Sequence, residues 1–83
     1  MVDPNLTSRI TVNPNIMGGK PVITGTRLTV QYILKILADG MSVPEILEEY
    51  DGLTSEDISA CLLYASKTVD NISYLPSIEE IAH

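Results

Sequence analysis

The chain has 83 residues, a net charge of −6 and one cysteine, Cys61. A chain of this length forms one domain with a small core, and a lone cysteine excludes an internal disulfide. Its longest uninterrupted apolar run, residues 60–65, is far shorter than the roughly 20 residues of a membrane-spanning helix. Residues 1–16 lack the basic and apolar regions of a secretory signal peptide, so we expect a cytoplasmic protein with no membrane partner.

Charge is distributed unevenly along the chain. Residues 1–35 carry four basic side chains and one acidic one, whereas residues 36–83 carry one basic side chain and ten acidic ones. The N-terminal part can therefore approach the phosphates of a nucleic acid. The acidic part would be repelled by phosphates and attracted to a basic protein.

The N-terminal part reads as short β-structure. Residues 9–12 alternate polar and β-branched side chains, which predicts one short strand that ends at the Asn-Pro-Asn of residues 13–15. Residues 22–23 and 27–28 are two short apolar runs separated by a glycine turn at Gly25, which predicts a small hairpin. The Gly-Gly-Lys of residues 18–20 is followed by proline and not by the hydroxyl residue of a phosphate-binding loop, so that motif is excluded.

Three helices should follow. Thr29 is a good N-cap for the first, which ends before Gly40. Ser42 and Glu45 form a capping box for the second, which runs to about residue 50, and Thr54 caps the third. Apolar side chains at helical spacing form the predicted inward stripes: Val30, Ile33, Leu34 and Leu37 in the first helix, Val43, Ile46, Leu47 and Tyr50 in the second, and Ile58, Leu62, Ala65 and Val69 in the third.

The link between the second and third helices predicts a helix-turn-helix. Only residues 51–53 separate the two helices, and so short a link holds neighbouring helices at a steep angle. Gly52 turns the chain and Leu53 enters the core. Thr54 caps the third helix and Ile58 anchors it. An ordinary helical hairpin in a three-helix bundle is the alternative.

The predicted fold class is mainly α. It is a three-helix helix-turn-helix bundle preceded by short N-terminal β-strands or a hairpin, with a short C-terminal helix or tail. Residues 1–7 are expected to be a flexible N-terminus, residues 8–70 the helix-turn-helix domain and residues 71–83 a C-terminal tail.

Two features depart from a DNA-reading helix-turn-helix. Glu48 stands where a small residue usually lets the two helices approach closely. Glu56 and Asp57 are expected at the exposed start of the third helix, where they would face phosphates or base edges in place of Arg, Lys, Asn or Gln. The alternative is that both acids complement the helix dipole.

No catalytic site is expected. Cys61 lies beside a predicted core position and His83 is terminal, so neither has the base and orienting group that covalent catalysis requires. Adjacent carboxylates on a helix diverge and do not share a site, and no cysteine or histidine pair has metal-ligand spacing. We therefore predict a non-enzyme without metal or cofactor.

Two sets of candidate binding residues remain. The basic side chains and the hydroxyls at the start of the third helix are candidates for DNA binding: Arg9, Lys20, Arg27, Thr54, Ser55 and Ser59. The apolar side chains of the tail either pack on the chain's own helices or a second subunit, or bind a basic partner: Ile72, Tyr74, Leu75, Ile78 and Ile81.

The sequence also resembles a known family. Residues 16–23 read Ile-Met-Gly-Gly-Lys-Pro-Val-Ile, and residues 25–28 read Gly-Thr-Arg-Leu. Together with Gly-Met-Ser at 40–42, Glu-Ile-Leu-Glu-Glu-Tyr at 45–50, Leu-Thr at 53–54 and Asp-Ile at 57–58, they resemble domain of unknown function four-three-three over about residues 8–66. The resemblance implies a fold of the homeodomain-like or winged-helix type. It also implies a function as the antitoxin of a type II toxin–antitoxin pair, whose toxin resembles a PIN-domain nuclease.

Two functional hypotheses of different class follow. In the first, an antitoxin-like regulator binds operator DNA as a homodimer through its helix-turn-helix and basic N-terminal hairpin, while the tail silences a nuclease toxin. In the second, a protein-interaction module retains the helix-turn-helix fold, no longer binds DNA, and offers its acidic helices to a basic partner.

Overall fold

The computed structural model describes residues 6–70, which form three helices and a two-stranded sheet. The mainly helical class predicted from the sequence is confirmed. Leu6, which falls within the segment 1–7 predicted as flexible, is buried. In chain order the elements are a 3₁₀ turn (Leu6–Arg9), β1 (Ile10–Thr11), a second 3₁₀ turn (Met17–Gly19), β2 (Val22–Ile23), α1 (Val30–Ala38), α2 (Val43–Glu49) and α3 (Ser55–Asp70).

The N-terminal hairpin is present, but its strands are β1 and β2, which pair antiparallel. Residues 27–28 do not form the second strand that we predicted. Instead, the Thr26 hydroxyl donates to the Ile23 carbonyl and accepts from the Leu28 N–H. The single side chain of Thr26 therefore satisfies backbone groups that a strand would have paired, and one isolated bridge joins Val22 to Thr29.

The helices begin where the capping residues predict. The Thr29 hydroxyl accepts a hydrogen bond from the Tyr32 N–H at 3.0 Å, before α1. Ser42 and Glu45 form both bonds of a capping box, before α2. Gly40 has φ +105°, the left-handed conformation that glycine adopts without strain just beyond a helix end. These local signals fix the helix boundaries.

The core lies where the three helices meet the sheet. Leu53 and Ile58 are buried, as the helix-turn-helix spacing predicts. The first-helix stripe is also confirmed, because Val30 and Ile33 are buried and the rest of it packs against the core. The buried cluster consists of Ile23, Val30, Ile33, Ile46, Leu53, Ile58 and Cys61.

Helix α3 buries a different stripe from the predicted one. Leu62 and Val69, both predicted to face inward, are 51% and 68% exposed. Cys61, which we placed beside the core, is fully buried within it. The reason is the rotation of the helix: Asp57 is buried at 7% exposure, so the inward arc is centred on the side of Asp57 and Cys61.

The rotation of α3 predicts unequal effects of two matched truncations. Ile58→Ala should lower the free energy of unfolding by about 2–4 kcal/mol, because it leaves a cavity in the core. Leu62→Ala should cost less than about 1 kcal/mol, because that side chain is half exposed. Urea denaturation followed by circular dichroism measures both. Equal effects of the two substitutions would contradict this rotation.

Candidate nucleic-acid interface

The start of α3 is closed by a reciprocal pair of hydrogen bonds. The Thr54 hydroxyl accepts from the Asp57 N–H at 3.2 Å, and Asp57 Oδ2 accepts from the Thr54 N–H at 3.0 Å. This is a capping box with aspartate in the place of the usual glutamate. The predicted cap at Thr54 is confirmed, and its hydroxyl is already used within the fold.

Asp57 also binds Arg9, which precedes it by 48 positions in the chain. A guanidinium nitrogen of Arg9 lies 3.1 Å from Asp57 Oδ1, and the two side chains are 37% and 10% exposed. The expectation that Asp57 is exposed at the start of α3 is therefore wrong. The physical reason is that the arginine neutralises the buried carboxylate, and Arg9, although partly exposed, is engaged in this internal ion pair. The place of Asp57 in the first turn agrees with the alternative in which it complements the helix dipole.

The outward surface of α3 carries hydroxyls and no cation at its predicted reading positions. Ser55 and Ser59 are exposed, and Leu62 and Ser66 continue the same side of the helix at spacings of three and four residues. A serine hydroxyl can bond a phosphate, but it lacks the two parallel donors with which arginine recognises guanine. This surface is therefore better suited to positioning the protein on a phosphate backbone than to recognising bases.

Lys20 and Arg27 are brought to one groove. They lie seven positions apart, on either side of β2, and both line a depression with a volume of 320 Å³. Both residues are exposed. Within residues 6–70, no carboxylate lines this groove, whose lining consists of Met17, Lys20, Arg27, Leu28, Thr29 and Tyr32.

A local backbone turn presents Lys20. Met17, Gly18 and Gly19 have φ angles of +50°, +66° and +86°, which form a left-handed turn immediately before Lys20. Two glycines in succession permit that turn, because L side chains are strained there. The Gly-Gly-Lys motif is thus a turn that displays a lysine.

Tyr32 is a member of this site that our reading of the sequence missed. Its hydroxyl hydrogen-bonds that of Tyr50, and the two rings meet edge to face with centroids 6.1 Å apart. This hydrogen bond raises the pKa of Tyr50 above its ordinary value. The missed signal was an aromatic residue in the first turn of α1 that lies outside the apolar stripe.

The structure also describes the remaining candidate sites, apart from those in the C-terminal tail. Burial raises the pKa of the Cys61 thiol to about 11, so this thiol is protonated at neutral pH. Residues 6–70 contain no group of three or more side chains arranged to hold a metal ion. None of the described helices has the length and apolar character needed to cross a bilayer. The predicted partner-binding residues Ile72, Tyr74, Leu75, Ile78 and Ile81 lie outside the described residues.

Comparison with known proteins confirms the resemblance found in the sequence. The profile of the family described as Protein of unknown function (DUF433) matches residues 10–65. Uncharacterized protein y4eO of Sinorhizobium fredii is 39% identical over 56 residues, which are 68% of this chain and 25% of that protein. This chain thus spans about a quarter of the length of that curated relative. The crystal structure of a DUF433 member protein from Anabaena variabilis is 32% identical with a TM-score of 0.72, covering 90% of this chain and 69% of that one.

The Arg9 contact predicts that Asp57 and Glu56, the two acids at the start of α3, contribute unequally to the free energy of unfolding. Asp57→Asn and Glu56→Gln each remove one negative charge from the first turn, so the loss of helix-dipole stabilisation is matched. Asp57→Asn also breaks the ion pair and should lower the free energy of unfolding by about 1–2 kcal/mol more than Glu56→Gln. Urea denaturation at low salt measures this difference. Equal effects would show that the Arg9–Asp57 contact contributes nothing.

Proposed function

This chain belongs to the DUF433 family of proteins of unknown function, and we propose that it is a non-catalytic binding protein that contacts nucleic-acid phosphates through Lys20 and Arg27. One observation carries the proposal: the fold joins these two cations in a groove that no carboxylate of the described residues lines. A phosphate placed there meets positive charge on a molecule whose net charge is −6.

The ion pairs of the other N-terminal cations support this assignment. Arg9 is paired with Asp57, and Lys35 is paired with Asp39 at 3.0 Å. Within residues 6–70, neither Lys20 nor Arg27 forms an ion pair. Among the described residues, therefore, no ion pair has to break before their charge meets a phosphate.

The start of α1 adds two further features to the groove. Thr29, the N-cap of this nine-residue helix, lines the groove, so the positive end of the helix dipole lies beside Lys20 and Arg27. Tyr32 is 39% exposed, and a tyrosine ring offers a face on which an unpaired base can stack. These features favour phosphate contact with little sequence preference.

The helix-turn-helix has a supporting role in this proposal. Ser55 and Ser59 can add hydroxyl bonds to phosphates, whereas Thr54 and Arg9 remain committed to Asp57. The family resemblance adds a second part, in which the chain is an antitoxin-like regulator. In that part, residues 71–83 bind and neutralise a PIN-like nuclease.

A second candidate function is a protein-interaction module without DNA affinity. It is favoured by the outward surface of α3, on which Ser55, Ser59, Leu62 and Ser66 are exposed and uncharged. Acidic side chains dominate the exposed surface from α2 onward. A basic protein with an apolar strip fits that surface better than a phosphate backbone does.

The phosphate-binding proposal predicts a specific change in salt dependence. Replacing both Lys20 and Arg27 by alanine should reduce the magnitude of the negative slope of log affinity against log salt by about 0.9 for each phosphate that the variant no longer neutralises. Lys35→Ala is the matched control, since Lys35 lies outside the groove and is paired. Fluorescence anisotropy with labelled duplex DNA at several salt concentrations measures the slope. An unchanged slope, or no DNA binding by the unaltered chain, would favour the protein-interaction module.

Operator binding also predicts a homodimer. Helix-turn-helix proteins commonly read paired half-sites with two copies related by two-fold symmetry. Sedimentation at micromolar concentration should give twice the 9.1 kDa chain mass. A mass of one chain at that concentration would contradict operator binding by a symmetric dimer. Phosphate contact at a single site would then be the part of the proposal that stands.

A further inference from the structure

An apolar groove runs between α1 and the last turns of α3. Its volume is 370 Å³, and most of its surface is apolar. None of the described side chains that line it is charged. Its lining consists of Pro21, Val30, Gln31 and Leu34 on one side and Tyr64, Ala65, Thr68 and Val69 on the other.

Part of the groove wall belongs to the core and part is left uncovered by the described residues. Val30 is 3% exposed, whereas Val69 is 68% exposed. Apolar surface left in water costs about 25 cal/mol per Å², which matters in a domain with so small a core. A covering segment would therefore stabilise the fold.

We propose that residues 71–83 of the same chain fill this groove. The chain leaves α3 at Asp70, directly after Val69, so the segment begins at the end of the groove. A tethered segment needs no second molecule, and closing so short a loop costs little entropy. The proposal goes beyond phosphate contact and concerns the chain when no protein partner is bound.

The composition of the segment matches an uncharged groove. Ile78 and Ile81 follow Pro76 at a spacing of three residues, which would place them on one side of a helix that begins after that proline. Glu79 and Glu80 fall on the opposite side, where they remain in water while the apolar side enters the groove.

The test uses the full-length chain and two exposed apolar residues of α3. Val69 lines the groove and Leu62 does not, yet the described fold leaves both exposed. If residues 71–83 cover the groove, Val69→Ser should raise the unfolding equilibrium constant about tenfold, the effect of removing one buried valine. Leu62→Ser is the matched control and should change it much less.

A double-mutant cycle identifies the covering segment. Ile78→Ser should also destabilise the chain, and combining it with Val69→Ser should cost less than the sum of the two, because both remove the same contact. Additive effects, or a Val69→Ser effect no larger than that of Leu62→Ser, would overturn the proposal. The measurements are repeated over a hundredfold range of protein concentration. Docking within one chain gives the same stability throughout, whereas a concentration dependence would assign the groove to a second copy and also overturn it.

Discussion

The carboxylate of Asp57 connects the start of α3 with the N-terminal segment that ends at Arg9, and the rest of the structure is arranged around this connection. One of its oxygens accepts from the Thr54 N–H and the other from the guanidinium of Arg9. The same side chain thus starts α3 and ties to that helix the 3₁₀ turn that ends at Arg9. Because Asp57 is buried, these bonds form where water competes weakly. They accompany the rotation of α3 that buries Ile58 and Cys61 and leaves Leu62 exposed.

This one contact also shapes the surface available to partners. By engaging Arg9, it leaves the N-terminal positive charge concentrated at Lys20 and Arg27, which share the groove beside Tyr32. On the same helix Cys61 faces inward and Leu62 faces outward, three residues from Ser59. The usual reading surface of a helix-turn-helix therefore carries serines, Leu62 and the exposed acid Glu56 here, and the candidate phosphate contacts lie on the N-terminal side of the molecule.

The size of the domain links its stability to its apolar grooves. A short chain cannot bury enough apolar surface to leave large grooves open without cost, and this one has no disulfide as an alternative support. The apolar groove between α1 and α3 therefore bears on the stability of the domain, as the groove of Lys20 and Arg27 bears on its binding. Covering its exposed apolar side chains, such as Val69, would add to the burial on which the stability of so small a domain depends.

The sequence by itself determined the helix boundaries and the class of fold, because Thr29, Gly40 and the Ser42 capping box act on backbone groups only a few residues away. The family was also recognisable from its motifs. Tertiary structure alone decided the pairing of β1 with β2, the Arg9–Asp57 contact and the rotation of α3. The stripe through Leu62 and the stripe through Cys61 have equally good helical spacing, so periodicity could not choose between them. The choice is made where α3 packs against parts distant in the chain, namely α1 and the 3₁₀ turn that carries Arg9. Arg9 is 48 positions from Asp57, and no local pattern encodes their proximity.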